Sequence, residues 1–208
     1  MISTIVLVRH GENEASARGL LAGDLPVGLT ERGREQARRA AKRLSSLQGA
    51  VPGAVPIISS PLPRTLETAW FIAEALGVAP EIQSAFTEFP VGPWSGRSLE
   101  DLRQDNAFRT YVQDPLKYPM GSGAFVQDVA DRVDAGIDKV LQAGRGPLSV
   151  IVTHGGIIRL CLVKALGMSL KHYNRLYCDE GSISIIRYRP DSTNDPTWPR
   201  VVQINELP

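Results

Sequence analysis

The sequence predicts an α/β fold built around a mostly parallel β-sheet. Two continuous aliphatic runs, at residues 4–8 and 148–152, have the composition of strands that are buried on both faces. Helical patterns alternate with strand patterns along the chain, which is typical of a parallel sheet covered by helices. A chain of 208 residues is long enough to bury a substantial core, and it suits one domain.

The other elements are predicted from hydrophobic periodicity and from the residues that begin and end helices. Thr30 is a favourable N-cap, and small or apolar residues recur at helical spacing after it. Trp70 falls on the apolar face of the next helix and is expected to point inward. In chain order the predicted elements are a strand at 4–8, a helix after Thr30, a turn at 52–53, a strand at 55–59, helices at 61–76 and 126–141, a strand at 148–152, a helix at 155–166, and strands at 182–188 and 201–204 around a loop at 190–199.

The regular pattern breaks between about residue 84 and residue 123. Glycine and proline punctuate this region, so it can hold only short helices, which we predict near 98–103 and 107–112. The region has no apolar pattern that could form a core of its own. We therefore expect residues 1–208 to form a single domain, in which 84–123 is a cap-like excursion from the sheet.

Composition and charge exclude several classes of protein. The chain is 43% hydrophobic and 22% charged, which is typical of a soluble globular protein and not of a disordered or fibrous one. A net charge of +1 argues against a dedicated nucleic-acid or membrane-surface binder, so a few local cations must hold any bound anion. No apolar run reaches the roughly eighteen residues of a membrane span, and no basic leader opens the chain. Because Cys161 and Cys178 are too few for a disulfide scaffold, we expect a cytoplasmic protein.

Two of the three histidines follow predicted strands. His10 and His154 each come directly after a strand and directly before a glycine. Ligands of open α/β sheets bind outside the carboxyl ends of the strands, so both imidazoles are expected at the same edge. A single histidine at a strand end is more often a hydrogen-bonded structural residue. Two such strand ends in a chain with three histidines weaken that interpretation.

Two arginines are predicted beside these histidines. Arg9 precedes His10, and Arg64 lies where a predicted strand gives way to a helix. Helix N-termini and guanidinium groups both favour oxyanions, so the set suits a phosphoryl group. The sequence has no His, Cys and Asp cluster at metal-ligand spacing and no phosphate-binding GxxxxGK loop. We therefore expect neither a metal nor a cofactor.

The stretch Leu7-Val8-Arg9-His10-Gly11-Glu12 resembles the RHG signature of the histidine phosphatase superfamily, which includes the cofactor-dependent phosphoglycerate mutases. The resemblance covers about residues 4–187 and implies a three-layer α/β/α sandwich of the phosphoglycerate mutase type. The further motifs that carry it, in the order of the family, lie at 23–26, 29–37, 59–65, 88–96 and 152–155.

The resemblance also implies a role for each site residue. His10 is the expected nucleophile, which becomes phosphohistidine, while Arg9, Arg64 and His154 neutralise the phosphate oxygens. Glu88, in the excursion, is the expected acid that protonates the leaving oxygen and then assists the attack of water. The chemistry is consistent, since a neutral imidazole is nucleophilic, cations stabilise the transferring phosphoryl group and an alkoxide needs a proton to leave. In this scheme a protonated His154 is one of the cations.

The sequence departs from the family at three places. Asn13 stands where the family usually has Thr or Ser, and Ser16 stands where an Asn often helps to hold the phosphate. The Ser16 hydroxyl can still donate one hydrogen bond with shorter reach, so it is a candidate for substrate binding. Gly123-Ala124-Phe125 replaces the Gly-Glu-Ser motif that many members have before the long helix. We expect phosphate affinity or substrate choice to differ accordingly.

The favoured function is a metal-independent phosphatase that acts on a small phosphorylated metabolite. A phosphoglycerate mutase is the main alternative, but in the mutases the counterpart of Glu88 is followed by Arg-His-Tyr-Gly and a longer insertion. Here the residues after Glu88 are Phe89-Pro90-Val91-Gly92. A non-catalytic phosphate binder would not need an acid, and the protein-phosphohistidine phosphatases tend to be shorter and to lack the excursion.

The excursion is expected to select the substrate. The residues of this region that are candidates for contact with the non-phosphate part are Phe89, Trp94, Arg97, Tyr111 and Tyr118. His172, which lacks a neighbouring glycine, is expected to be structural. We expect no nucleic-acid or membrane partner. A homodimer is common in such folds, although the sequence identifies no interface.

Overall fold

A six-stranded sheet forms the centre of the molecule. The computed structural model describes residues 2–49, 54–144, 146–189 and 198–208. Along the sheet the strand order is β3-β2-β4-β1-β5-β6, in which the first four strands are parallel and the last two are antiparallel to their neighbours. The mostly parallel sheet is therefore confirmed. The strands are β1 (Ser3–Arg9), β2 (Ile57–Ser59), β3 (Glu81–Ile82), β4 (Leu148–Thr153), β5 (Ile183–Tyr188) and β6 (Arg200–Glu206).

Helices cover both faces of this sheet. The α-helices of the described chain are α1 (Glu31–Gln48), α2 (Pro63–Leu76), α3 (Leu99–Gln104), α4 (Asn106–Gln113), α5 (Val126–Gln142) and α6 (Gly155–Ala165). Short 3₁₀ turns occur at Ser16–Arg18, Ser84–Phe86, Gly92–Trp94 and Leu170–Arg175.

Alternate side chains of each strand belong to different cores. In β1, Val6 and Val8 pack with α1 and α2, whereas Ile5 and Leu7 pack with α5 and α6. Successive residues of a strand point to opposite faces, so a strand that is apolar throughout must be covered on both sides. The three-layer α/β/α sandwich is confirmed.

Helix α1 matches its prediction, but one residue of α2 does not. Thr30 Oγ1 accepts a hydrogen bond from the Gly33 N–H at 3.1 Å, which is the predicted N-cap. Trp70, however, is 60% exposed. The buried face of α2 begins at Arg64 and includes Thr65 and Thr68, whose hydroxyls donate to backbone carbonyls of the chain just before them. Because the hydroxyls of these residues have hydrogen-bond partners, they can lie on the buried face of α2. This face therefore points away from Trp70.

Other boundaries differ slightly from expectation. β2 begins at Ile57 and α2 at Pro63, and the short edge strand β3 has no signal in the sequence. The turn at 52–53 and most of the loop at 190–199 lie outside the described residues. Within the described part of the chain, no helix is long and apolar enough to cross a membrane. The cytoplasmic location stays a prediction.

The excursion at 84–123 contains α3 and α4, close to the two predicted short helices. Its buried side chains, including Phe86, Trp94 and Leu102, belong to the same apolar cluster as α5 and α6. The single domain with a cap at 84–123 stays a prediction, and this shared packing supports it.

Candidate active site

The two predicted strand ends lie side by side. β1 and β4 are parallel neighbours in which Arg9 pairs with Thr153, so His10 and His154 follow at the same edge. Their ring centroids are 5.2 Å apart, with the ring planes at 64°. His10 is 3% exposed and His154 is fully buried. The sequence therefore identified the juxtaposition of both histidines.

The His10 ring has a defined protonation pattern. Its Nδ1 lies 2.7 Å from the Gly11 carbonyl oxygen. A carbonyl can only accept, so Nδ1 carries the proton and Nε2 carries the lone pair. The Arg64 Nε–H donates to this Nε2 at 3.2 Å. Burial, reinforced by the charges of Arg64 and Arg9, lowers the pKa of His10 well below its usual value, so the imidazole is neutral.

Close backbone packing fixes the loop that carries His10. A Cβ on Gly11 would lie 2.2 Å from the Gly33 carbonyl oxygen, and a Cβ on Gly33 would lie 2.0 Å from that of Glu12. Only glycines permit this contact between the loop and the first turn of α1. The Gly11 N–H also donates to Thr68 Oγ1 at 3.2 Å. Helices α1 and α2 thus hold the loop from two sides.

Arg64 is almost completely buried, although it starts a helix. Its Nη1 donates to the Leu25 carbonyl at 2.9 Å, and its Nη2 donates to the Gly23 carbonyl at 2.6 Å. With Nε on His10, all three guanidinium nitrogens have a defined partner. Burial lowers the pKa of Arg64 below its usual value. The group is a fixed cation whose orientation depends on the loop at 23–25.

Arg9, the last residue of β1, lines the same cavity as His10. Its Nη1 donates to the Cys178 carbonyl at 2.5 Å, and its Nη2 lies 3.5 Å from Glu180 Oε1. Its Nε is buried and has no hydrogen-bond partner within the described residues. A Cβ on Gly155 would lie 3.3 Å from this Nε, so the start of α6 packs directly on the guanidinium. The sequence analysis did not identify Glu180.

Glu88 contacts the N-terminus of α6. Its Oε1 accepts from the Phe89 N–H at 3.0 Å, and its Oε2 accepts from the Gly156 N–H at 3.4 Å. A Cβ on Gly156 would lie 2.4 Å from Glu88 Oε1, so this position needs a glycine. Glu88 lines the same cavity as His10. The excursion therefore places the Glu88 carboxylate at the edge of the sheet where His10 and His154 lie.

The buried surroundings of His154 determine its protonation. Its Nε2 lies 2.8 Å from Ser60 Oγ, while its buried Nδ1 has no partner among the described residues. Burial, followed by the proximity of His10 and of three arginines, lowers the pKa of His154 well below its usual value. This direction disfavours a charged ring, because a protonated imidazole would be desolvated among cations, and the protonated His154 beside a phosphoryl group stays a prediction. The ring is fully buried beside His10 and is not among the residues that line the cavity.

Ser16 lines the cavity, but its hydroxyl is engaged within its own loop. It donates to the Asn13 carbonyl and accepts from the Asn13 N–H, both at 3.1 Å. Asn13 Oδ1 in turn accepts from the N–H groups of Ala15 and Ser16. A phosphate contact by the Ser16 hydroxyl would require its proton to leave the Asn13 carbonyl, so its substrate-binding role stays a prediction.

The cavity has a volume of about 430 Å³ and extends from His10 toward the excursion. Of the five candidates for substrate contact, Arg97 and Tyr118 do not line it. Arg97 instead forms a 2.7 Å ion pair with Asp105 in the excursion. The candidates that do line it are Phe89, Trp94 and Tyr111.

The sequence analysis did not identify three residues that line the cavity, Tyr173, Arg159 and Asn174. The Tyr111 and Tyr173 hydroxyls are hydrogen-bonded to each other, and burial raises the pKa of both. A usable signal existed for Arg159, which is the only charge in the apolar stretch 155–163. His172, by contrast, does not line the cavity, in line with its expected structural role. Among the described residues, no group of three or more His, Cys, Asp or Glu side chains could hold a metal ion.

Comparisons with known proteins agree with this geometry. The family model of the histidine phosphatase superfamily (branch 1) matches residues 5–198. Phosphoserine phosphatase 1 of Hydrogenobacter thermophilus is 33% identical over 184 residues, which are 88% of this chain and 85% of the relative. A protein of Escherichia coli O1:K1 named "Probable phosphoglycerate mutase GpmB" is 32% identical over 188 residues, which are 89% and 85% of the two chains.

Solved structures share the fold. A mycobacterial glucosyl-3-phosphoglycerate phosphatase, Rv2419c, superposes with a TM-score of 0.82 at 22% identity, over 98% of each chain. The α-ribazole phosphatase of Shigella flexneri gives a TM-score of 0.80 at 24% identity, over 98% of this chain and 96% of that one. The chain belongs to the histidine phosphatase superfamily. This membership confirms the resemblance in the sequence and places the chain among the phosphoric monoester hydrolases.

Proposed function

We propose that this protein hydrolyses a small phosphomonoester without a metal ion, through a phosphohistidine intermediate on His10. The carrying observation is the His10 ring, whose proton is held on Nδ1 by the Gly11 carbonyl. Its Nε2 faces a fixed guanidinium, that of Arg64, in a cavity that Glu88 also lines. A buried neutral imidazole with a defined lone pair is what nucleophilic attack on phosphorus requires.

In the first step the Arg64 Nε–H releases the lone pair of His10 Nε2, which then forms a bond to phosphorus. The ester P–O bond breaks, and its electron pair stays on the leaving oxygen, which takes the proton of the Glu88 carboxyl group. In the second step water attacks the same phosphorus and gives a proton to Glu88 as the N–P bond breaks. Glu88 ends protonated again, and His10 recovers its lone pair.

Arg9 and Arg64 are the cations that stabilise the transferring phosphoryl group. His154 can contribute without being charged. If Ser60 donates to His154 Nε2, the ring proton lies on Nδ1, the nitrogen without a partner among the described residues, which can then donate to a phosphoryl group carried by the adjacent His10 ring, 5.2 Å away between centroids. The negative charge of a bound phosphoryl group would also raise the pKa of this imidazole toward its usual value.

Hydrolysis is favoured over mutase chemistry by the short segment after Glu88, Phe89-Pro90-Val91-Gly92. The relatives are named for both activities, phosphoserine phosphatase and phosphoglycerate mutase. These names support a small phosphorylated metabolite as the substrate. The homodimer and the cytoplasmic location stay predictions.

The test measures phosphate release from a panel of phosphorylated metabolites in EDTA, with 3-phosphoglycerate included and 2-phosphoglycerate scored as a product. The wild type is compared with His10→Ala and with His172→Ala, a matched histidine that does not line the cavity. We expect EDTA-resistant release in the wild type and in His172→Ala, and none in His10→Ala. Conversion of 3- to 2-phosphoglycerate without release would instead establish a mutase, and no turnover by a folded protein would support a binder.

A further inference from the structure

The cavity contains a cation that the proposed chemistry does not use. Arg159, on α6, lines the cavity beyond the residues around His10. Its Nε donates to the Gly155 carbonyl at 3.1 Å, its Nη1 donates to Asn174 Oδ1 at 3.0 Å, and its guanidinium lies 5.1 Å from the centre of the Tyr173 ring. Among the described residues no carboxylate lies within ion-pair distance of Arg159, whereas Arg9 has Glu180.

Arg159 lies close to the phosphate end of the cavity. Its Nε–H donates to the carbonyl of Gly155. The α-carbon of Gly155 packs so closely on Arg9 that an added Cβ would lie 3.3 Å from Arg9 Nε. One helical turn, about 5.4 Å along the axis, therefore separates the residue that contacts Arg9 from Arg159. Phe89 and Tyr173, whose ring centroids are 5.3 Å apart, belong to the same wall. A ligand held at His10 needs only a short, compact body to reach Arg159.

The cavity has one guanidinium group more than the two that the proposed chemistry assigns to the phosphate. The described lining carries three guanidinium groups, Arg9, Arg64 and Arg159, against one carboxylate, Glu88. A guanidinium matches a carboxylate by paired hydrogen bonds, and the part-buried Arg159 retains N–H donors that have no partner among the described residues. Asn174 adds an amide beside it.

From this geometry we infer that the substrate is a phosphorylated organic acid, whose carboxylate binds Arg159 while its phosphate lies at His10. The inference rests on the proposed function, since it concerns the alcohol part of the same ester. The alternative is that Arg159 only ties α6 to the turn Leu170–Arg175 through Asn174. That structural role would affect stability but not the preference for a charged substrate.

The test uses pairs of esters that differ in the carboxylate. The first pair is 3-carboxyphenyl phosphate and its neutral isostere 3-carbamoylphenyl phosphate, and the second is 3-phosphoglycerate and glycerol 3-phosphate, which covers a shorter spacing. The measured quantity is the ratio of kcat/KM within each pair. We expect the wild type to prefer the acid of at least one pair by about 10-fold or more, because a charge-assisted hydrogen bond is lost with the neutral ester.

Variants locate the origin of this preference. Arg159→Gln and Arg159→Met remove the charge, and Met keeps an apolar stem over Tyr173, so in both the ratio should fall to near one. Arg159→Lys should restore part of it. Arg175→Gln is the matched control, because Arg175 is exposed, ends the neighbouring turn and does not line the cavity. Its ratio should equal that of the wild type.

The outcomes separate this inference from the proposed function. A wild type that hydrolyses all four esters without preference, or a preference that survives in Arg159→Gln and Arg159→Met, overturns the carboxylate site alone. A wild type that hydrolyses none contradicts the phosphatase. In that case titration calorimetry of the same pairs decides the inference, and equal affinities for acid and neutral ester overturn it. If neither neutral variant folds, the wild-type ratios decide it.

Discussion

His10 and His154 follow equivalent strands at one edge of the sheet, yet their environments differ. His10 Nδ1 faces a backbone carbonyl, that of Gly11, and its Nε2 accepts from Arg64. His154 Nε2 faces the Ser60 hydroxyl, and its Nδ1 has no partner in the described chain. A carbonyl dictates the tautomer, whereas a hydroxyl can donate or accept. The same strand-His-Gly pattern therefore produces one imidazole with a fixed lone pair and one that can adapt its proton to a ligand.

The largest expected effect separates these two roles. His10→Asn should lower turnover by about 10⁴-fold or more, because the nucleophile is lost, while His154→Asn should lower it by about 10²-fold, because only a hydrogen-bond donor is lost. A single-turnover experiment with labelled substrate, quenched in alkaline denaturant, should trap a phosphoenzyme in His154→Asn and none in His10→Asn. A phosphoenzyme in His10→Asn, or its absence from His154→Asn, would reverse the assignment of the two rings.

A second effect concerns Glu88, which the proposed mechanism makes the proton donor to the leaving group. Glu88→Gln should lower turnover of glycerol 3-phosphate by about 10²- to 10³-fold, because an alkoxide must be protonated to leave. The loss should be much smaller for p-nitrophenyl phosphate, whose leaving group needs no proton, and inhibition by inorganic phosphate should stay within a few-fold of the wild type.

Glu100→Gln, an exposed carboxylate of α3 that does not line the cavity, is the matched control for Glu88. Equal losses on the alkyl and aryl esters in Glu88→Gln would show that Glu88 does not act as a proton donor.

The contrast between the two histidines also shows how far the sequence can lead. Parallel strands end at one edge, so two apolar runs that each precede His-Gly predict where both rings lie. The partners that set their protonation are backbone atoms or distant side chains. The Gly11 carbonyl and the Ser60 hydroxyl leave no pattern in the sequence that distinguishes His10 from His154, so the sequence alone does not predict how the two rings are protonated.

The excursion shows the same limit at the substrate end. Three of its five proposed contacts line the cavity, namely Phe89, Trp94 and Tyr111. Arg97 does not line it. Its guanidinium pairs with Asp105, which follows directly after α3, and a sequence shows the charge of a residue but not its partner. Arg159 was missed for the opposite reason, since its helix was interpreted by its apolar majority. The apolar composition of α6 predicts that it is buried, but the charged Arg159, which departs from this composition, lines the cavity.

A third prediction concerns the Ser60 hydroxyl, which is the hydrogen-bond partner of His154. Ser60→Ala leaves His154 Nε2 buried without a partner, so the free energy of unfolding should fall by about 1–3 kcal/mol. Ser46→Ala is the control, because Ser46 is exposed on α1 and its hydroxyl only donates to the Lys42 carbonyl one turn earlier. Urea denaturation of both variants measures the difference. A loss in Ser60→Ala no larger than in Ser46→Ala would mean that the hydrogen bond to His154 contributes nothing.

The smallest effect is the dependence of stability on pH. Burial lowers the pKa of both His10 and His154 below the usual 6.5 of a free histidine. Below that pH the two histidines bind protons in the unfolded chain but stay neutral in the folded chain. The free energy of unfolding therefore falls as the pH falls. Each histidine should lower the free energy of unfolding by about 1 kcal/mol between pH 6.5 and pH 5.5. Urea titrations measure the decrease in the free energy of unfolding between these two pH values. The part caused by the two histidines should be halved in His10→Asn and in His154→Asn, and it should be absent from the double variant. An unchanged pH dependence in either single variant would show that its ring is not held neutral by burial, and the two strand ends would then differ in charge as well as in hydrogen bonding.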